Sequence, residues 1–354
     1  MPPCGPNAFA HILLKNRNTE IKMRETARTM ITNASMIGAA LIVSSAAFDA
    51  SAQQLPDLVK PPSGINLGST SFFDGFGPSE PGFVYVAYPR FTFGNDITDA
   101  NGKSSRAFNN AKVNTQVLVS QFSYLTPLEI GPTKLGFNLF VPLVNFSTSF
   151  DSPGLKLRDN GLGIGDLTFG AYLQGNPIIS DGHPVFSWRA EIDVIAPTGD
   201  FDKHKDLNQS SGFWSLIPYL SVTYLPTEKT EISLRFNYMY NFSTTKFSNP
   251  PPIPGLNFDN GQAGQVGWLN FAASYRVLPS LALGVNGFYY KQLTENKLNG
   301  VSIANSKAEM LSMGPGAHIS ISEKSFLNVN LNLPVINKNA IKGPSLGLQY
   351  VKVF

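Results

Sequence analysis

The chain has 354 residues and a formal net charge of +3; 42% of its residues are apolar, 12% are aromatic and only 14% are charged. Soluble domains carry about 25% charged residues. A membrane helix needs roughly 18 or more apolar residues without charges, and this chain has no such stretch. The composition therefore disfavours an ordinary soluble domain and a helical membrane protein. It favours a membrane β-barrel, with a large secreted β-sandwich as the alternative at this point.

The first 52 residues have the features of a long leader that ends in a signal peptide. Basic residues precede an apolar stretch at 36–47 that is too short to span a bilayer, and small residues follow it, as a cleavage site requires. The length of the leader suggests that translation starts at Met23 or Met30. We expect cleavage before Gln53, with Ala50 and Ala52 at positions −3 and −1.

Removal of this leader changes the charge and the cysteine content. The 27 Lys/Arg and 24 Asp/Glu of the full chain become 22 and 21, because five basic and three acidic residues lie in the leader. The single cysteine, Cys4, is also lost, so the mature chain has no disulfide, thiolate nucleophile or cysteine metal site. The near-neutral charge argues against nucleic acid as a partner, and no motif predicts a cofactor.

Residues 53–82 are rich in Pro, Gly and Ser and lack a sustained period, so we predict an irregular periplasmic segment. From residue 83 the chain alternates between apolar and polar residues, most clearly in EISLRFNYMYNFS at 231–243. A period of two places successive side chains on opposite faces of a strand. The alternating region therefore predicts strands rather than helices.

We expect an all-β fold, a transmembrane antiparallel up-and-down β-barrel of about 12 strands, over residues 83–354. Short turns alternate with long polar loops, and in outer-membrane barrels the turns are periplasmic and the loops external. Hydrocarbon satisfies no free N–H or C=O group, so the last strand must pair with the first. An even strand number places both termini in the periplasm. The predicted strands are 83–94, 112–125, 134–149, 165–174, 185–196, 213–225, 230–244, 264–277, 281–294, 307–321, 326–336 and 345–354.

The strand ends carry two further features of barrels. Tyrosines precede several predicted turns, where an aromatic girdle belongs. The last strand ends in Phe354 with Tyr350 on the same face, similar to the C-terminal signal that the barrel assembly machinery recognises. Strand 1 is the weakest prediction, because Pro89 interrupts it and its alternation is poor. The short turns are expected at Pro127, Pro177, Pro226, Pro279 and residues 322–324.

Patterns of catalytic or metal-binding residues are weak. The acidic loop at 200–206 has interleaved lysines, which favour a solvated loop over a calcium site. His318 and Ser320 share one strand face, and Asn332 is a candidate third member of an esterase site. The predicted turn pairs Ser320 with Asn328, which leaves Asn332 about 14 Å away. Because such a site needs mutual hydrogen-bond reach, we expect no enzymatic activity.

Charged residues cluster on the predicted inward faces of strands 5 and 7. A lipid-facing Arg costs roughly 2–4 kcal/mol at the centre of a bilayer, so these charges are expected in the lumen. They form either a salt-bridged network that stabilises the wall or a constriction that selects ions. The candidate constriction residues are Arg189, Glu191, Asp193, Glu231 and Arg235.

Residues from about 66 to 354 resemble the bacterial family of outer-membrane barrels that is named for a role in the meta-pathway of phenol degradation. The resemblance implies a passive channel for small aromatic or otherwise hydrophobic compounds, and it defines no catalytic residues. The matching stretches are GLGIGDLTFGAYL (161–173), APTGDFD (196–202), SGFWSLIPYLSVTYL (211–225), LALGVNGFYYKQLTEN (281–296) and MGPGAHI (313–319).

Two functions remain open. The first is an outer-membrane passive channel for small hydrophobic or aromatic solutes. The alternative is a structural or surface-interaction barrel with a blocked lumen. Barrel diameter grows with strand number, so about 12 strands suit one small solute rather than a wide aqueous pore. The expected partners are outer-membrane lipid, the barrel assembly machinery and the solute.

Overall fold

The computed structural model describes residues 58–354, so the predicted leader and the cleavage site lie outside the described residues. Within residues 58–354, no helix is long and apolar enough to cross a membrane. The long strands, numbered in chain order, are β1 (Gly82–Gly94), β2 (Lys112–Ile130), β3 (Thr133–Ser149), β4 (Leu167–Gly175), β5 (His183–Ala196), β6 (Ser215–Thr227), β7 (Thr230–Asn241), β8 (Val266–Leu278), β9 (Leu281–Gln292), β10 (Glu309–Ser322), β11 (Ser325–Lys338) and β12 (Ser345–Val353).

These twelve strands form one closed antiparallel sheet, as predicted. Each strand pairs with its neighbours in chain order, and β1 pairs with β12 to complete the barrel. The β1–β12 pairing has a gap between Ala87 and Arg90, and Pro89 lies in this gap, where it does not have to supply an N–H. The weakest predicted strand is therefore part of the closed wall.

Side-chain exposure confirms the predicted inward and outward faces. In β7, Ile232 and Phe236 are 40% and 49% exposed, whereas Glu231 and Asn237 are 1% and 8% exposed. Apolar side chains thus face outward and polar side chains face the lumen, which is the arrangement of a membrane barrel. A soluble sandwich would bury its apolar face instead.

The short connections lie at one end of the barrel, the turn end, and the long connections lie at the other, the long-loop end. Between β2 and β3 the chain turns at Gly131 and Pro132, with φ of +60° at Gly131. The predicted turn at Pro127 is wrong, because β2 continues past it to Ile130. Pro127 lies in an interruption of the β2–β3 pairing between Leu125 and Glu129, where no ladder N–H is needed.

Two other predicted turns are also displaced. Pro177 precedes a short strand, Ile178–Ser180, and the chain reverses at Asp181 and Gly182, which have φ of +50° and +80°. Pro226 lies within β6. Proline marks the approach to a turn in this barrel more often than the turn itself.

Residues 58–81, here called the lumenal segment, have no regular strand or helix, as predicted for this part of the chain. They lie inside the barrel rather than outside it, hydrogen-bonded to inward side chains of several wall strands. The sequence did not predict this position.

Candidate functional site

The lumenal segment runs the length of the pore. At the long-loop end, the Ser63 hydroxyl donates to Gln209 O at 3.1 Å, and Ser248 N–H donates to Leu58 O at 2.9 Å. At the turn end, Lys134 Nζ donates to Ser79 O at 2.7 Å. The segment then continues directly into β1, which begins at Gly82.

Wall side chains satisfy the backbone of the segment in mid-lumen. The Arg90 guanidinium donates to three of its carbonyl oxygens, those of Ser63, Ile65 and Leu67, at 3.0–3.4 Å. Trp268 Nε1 donates to Asn66 O at 2.8 Å. A chain without its own ladder must find partners for its buried polar groups, and the inward polar residues supply them.

The strongest contacts hold residues 73–75. Arg235 donates from Nε and Nη2 to the two carboxylate oxygens of Asp74, both at 2.7 Å. Phe73 N–H donates to Glu231 Oε1 at 3.0 Å. Bidentate Arg–carboxylate pairs combine charge with fixed geometry. Arg235 and Glu231, predicted as lumen residues, therefore anchor the segment to β7.

Gly75 lies directly against the backbone of the wall. Its N–H donates to Thr223 Oγ1 at 2.9 Å, and its carbonyl accepts from Ser187 Oγ at 2.9 Å and Gln174 Nε2 at 3.0 Å. A Cβ at this position would lie 2.5 Å from Thr223 N and 2.6 Å from Ser187 O. Only glycine allows the backbone to come this close.

The acidic pair predicted in β5 also faces the lumen. Glu191 accepts a hydrogen bond from Asn138 Nδ2 at 2.6 Å and a very short one from the Tyr219 hydroxyl. Within residues 58–354, Asp193 Oδ1 is buried and has no hydrogen-bond partner. A buried polar atom without a hydrogen-bond partner destabilises the fold, so its presence calls for an explanation such as a functional role.

Arg189 completes the predicted set. Its Nε donates to Gln174 Oε1 at 3.0 Å, and its guanidinium lies over the Tyr172 ring, 4.3 Å from the centroid. The structure thus places all five predicted residues on the inward wall. That they set ion selectivity stays a prediction.

A cavity of about 540 Å³ lies between the lumenal segment and the wall. Three of the charged residues, Arg189, Asp193 and Arg235, line one part of it, and it extends to Lys324 and Phe354 at the turn end. Its other wall, from β1, β2 and β12, combines inward valines with several polar side chains. The valines are Val84, Val86, Val119, Val351 and Val353, and the polar residues are Tyr88, Gln121, Ser123 and Gln349.

Inward valines account for part of the poor alternation of strand 1. Phe83 and Phe93 face outward and are 63% and 55% exposed, while Val84 and Val86 point inward and are buried. Where a strand contacts lipid on one face and has valines on the other, its sequence no longer alternates between apolar and polar residues. The weak pattern of strand 1 thus reflects apolar residues on both of its faces.

The two weaker motifs have clear structural surroundings. In the acidic loop, Asp206 Oδ2 accepts from Arg158 N–H at 2.8 Å, so this carboxylate joins its loop to the long loop between β3 and β4. His318 lies opposite Asn328, and Ser320 lies opposite Phe326. The predicted pairing of Ser320 with Asn328 is therefore wrong by two residues. The turn consists of residues 323–324, with Ser322 opposite Ser325, and the register shifts once more between Ser320 and Ser322.

The C-terminal residues proposed as an assembly signal are accessible. Tyr350 is 36% exposed, and Phe354, at the turn end of the cavity, is 69% exposed. Their recognition by the assembly machinery stays a prediction.

Comparison with known proteins supports the architecture. The structure is similar to the COG4313 outer membrane channel from Pseudomonas putida F1, with 20% identity, a TM-score of 0.65, and coverage of 80% of this chain and 98% of that chain. It also matches a TodX monoaromatic hydrocarbon channel mutant at 9% identity and a TM-score of 0.43, over 79% of this chain and 92% of that chain. No curated protein sequence matches the chain.

The family model described as "Putative MetA-pathway of phenol degradation" matches residues 89–350. This range spans β1 through most of β12, nearly the whole barrel. The chain therefore belongs to this family of phenol-degradation-associated proteins.

Proposed function

We propose that this protein is a passive outer-membrane channel for small hydrophobic or aromatic solutes. The observation that carries the proposal is the lumenal cavity of about 540 Å³, which has a group of valines on one side and charged residues on the other. Ligand pockets commonly measure about 300–1,000 Å³, and an apolar cavity of about 150 Å³ suffices for benzene. A single-ring solute fits the cavity with its ring against the valines.

The family and the fold support this proposal. The family description links its members to phenol degradation, and the similar solved structure from Pseudomonas putida F1 is a channel. A charged, water-filled pore would favour ions and sugars. The inward valines favour solutes that gain from leaving water, at about 25 cal/mol per Å² of buried apolar surface.

Uptake into proteoliposomes tests the proposal. Phenols should enter faster than sugars of similar size. Val86→Trp, which fills the cavity from β1, should slow phenol uptake severalfold. Val285→Trp is the matched control, because Val285 faces outward on β9 and is 49% exposed. Equal uptake of phenol by both variants and the native protein would contradict passage through this cavity.

The alternative function, a structural barrel with a blocked lumen, is favoured by one observation. The lumenal segment fills part of the pore and is bonded along its length. Planar-bilayer recordings separate the two functions, since a blocked barrel shows no conductance and no uptake of any solute. A channel shows conductance, solute uptake or both.

We also propose that the turn end faces the periplasm and the long-loop end faces outward. Short periplasmic turns and long external loops are usual in such barrels. Phe354 lies at the turn end, so the C-terminus is periplasmic in this orientation, whereas Leu58 lies near the outer end. The protein should fractionate with outer membranes and show heat-modifiable gel mobility; recovery as a soluble periplasmic species would contradict this location.

A further inference from the structure

We propose that Ser320, His318 and Asn328 form a serine hydrolase site at the turn end of the lumen, with aryl esters of short carboxylic acids as its substrates. The site goes beyond transport and replaces the expectation that the chain has no enzymatic site. That expectation rested on Asn332, whose Oδ1 instead accepts from Asn286 Nδ2 at 3.2 Å.

Two hydrogen bonds link the three side chains in a row. Ser320 Oγ lies 3.3 Å from His318 Nε2, and His318 Nδ1 lies 2.7 Å from Asn328 Oδ1. His318 and Ser320 share the inward face of β10, and Asn328 lies directly opposite His318 on β11. A nucleophile, a base and a group that orients the base are the three parts of an activated hydroxyl.

The surroundings of Asn328 determine which histidine nitrogen carries the proton. Asn328 Nδ2 donates to Gln349 Oε1 at 2.9 Å and to Phe72 O at 3.4 Å. Both amide hydrogens are thereby used, so Oδ1 must be the atom that faces His318. Because this oxygen can only accept, His318 Nδ1 is the donor. The lone pair of Nε2 is then directed at the Ser320 hydroxyl.

Burial differs across the three residues in the way a hydrolase needs. Asn328 is fully buried, and the His318 ring packs against Phe73 and Phe326 with centroid distances of 4.8 and 5.1 Å. Ser320 is exposed at the turn end. The base is therefore held in place while the nucleophile remains accessible to a substrate.

The reaction follows from these positions. Ser320 Oγ attacks the ester carbonyl carbon as its proton passes to His318 Nε2. The tetrahedral intermediate expels the aryl oxygen, which takes that proton and leaves as a phenol. Water then attacks the acyl-serine, giving its proton to Nε2, and the carboxylic acid departs as Ser320 regains the proton. The sum is one ester and one water converted to one phenol and one acid.

The available positive charge points to aryl esters. Arg276 lies in the same register row as His318, two strands away: it is opposite Ala282 on β9, which is itself opposite His318. A cation two strands from the nucleophile stabilises an oxyanion less than two hydrogen-bond donors aimed at it would. Such a site favours esters whose leaving group is already stable as an anion, and phenolate is a better leaving group than an alkoxide.

The purified full mature protein in detergent provides the test. It should release nitrophenolate from p-nitrophenyl acetate, and a fluorophosphonate probe should label Ser320, as mapped by mass spectrometry. Ser320→Ala should lower release by about 100-fold or more, within the range that base-assisted steps contribute. Ser322→Ala is the matched control, because that hydroxyl lies on the same strand and bonds to Ser325 instead.

Asn328 is a positioning residue, and its variants separate orientation from folding. Asn328→Asp retains an acceptor for His318 Nδ1 and should keep most activity, whereas Asn328→Leu should lose it; heat-modifiable mobility reports assembly of each variant. Equal ester release by native protein and a correctly assembled Ser320→Ala would overturn the proposal. Labelling of Ser322 in place of Ser320 would also overturn it. Neither outcome bears on solute uptake.

Discussion

The ion pair between Asp74 and Arg235 should determine whether the lumenal segment stays bound. Their side chains are only 6% and 10% exposed, and two hydrogen bonds of 2.7 Å join them. Asp74→Asn removes the negative charge and leaves the Arg235 cation buried beside a neutral amide. Removing one partner of a buried pair costs about 3–5 kcal/mol.

We expect a cost of about 3 kcal/mol, the lower end of that range, because the amide oxygen at position 74 of the variant still accepts one hydrogen bond from Arg235. A loss of about 3 kcal/mol shifts the equilibrium between bound and released segment roughly 100-fold, at about 1.4 kcal/mol per factor of ten. Hydrogen–deuterium exchange at residues 58–81 should accelerate by a similar factor. Single-channel recordings should show longer or larger openings.

Asp181→Asn is the control, since Asp181 is an exposed carboxylate in the turn before β5. It should change neither exchange nor conductance. If Asp74→Asn leaves exchange at residues 58–81 unchanged in a correctly assembled barrel, the ion pair does not hold the segment, and the backbone contacts of Gly75 are sufficient.

Three further predictions concern the wall and the segment. Gly75→Ala should lower the melting temperature of the barrel and accelerate exchange nearby, because a Cβ would meet the backbone of two wall strands; unchanged values would contradict the close approach. Phe236→Arg should impair assembly by placing a charge in lipid, whereas Asn237→Arg should assemble; a gel assay with the reverse result would mean a register shifted by one residue. Glu191→Gln combined with Asp193→Asn should shift the reversal potential toward anions and change uptake of benzoates more than of phenols; unaltered selectivity would exclude these residues as a constriction.

The barrel wall was predictable from sequence because its physics is local. A side chain between lipid and lumen must alternate with its neighbours, so residues such as Phe236 and Asn237 identify their own faces. Turn positions were less predictable. Pro127 was assigned to a turn, but a proline is also tolerated where strand pairing is interrupted, and the sequence does not distinguish these cases.

The candidate site was predictable only in part. Arg189 and Glu231 had to face inward because lipid excludes charge, and they do. The partner of Arg235, however, comes from Asp74, which lies 161 residues earlier in a stretch without periodicity. Irregular chain carries no pattern that reveals which wall it will contact. His318 and Asn328 were similarly missed as partners, because a two-residue register shift decides which side chains meet.

The lumenal segment has a consequence for the order in which the barrel is made. Its last residues continue into β1, and β1 is also the strand that closes the cylinder against β12. Residues from Phe73 to Gly75 bond to β5, β6 and β7, so their partners exist only after the middle of the chain has folded. Once β1 and β12 are joined, nothing can enter from the side. After that, the segment can reach its wall partners only through an open end of the barrel, so binding to the half-made wall is the more direct route, and a defect at Asp74 or Gly75 should appear as slow biogenesis in cells.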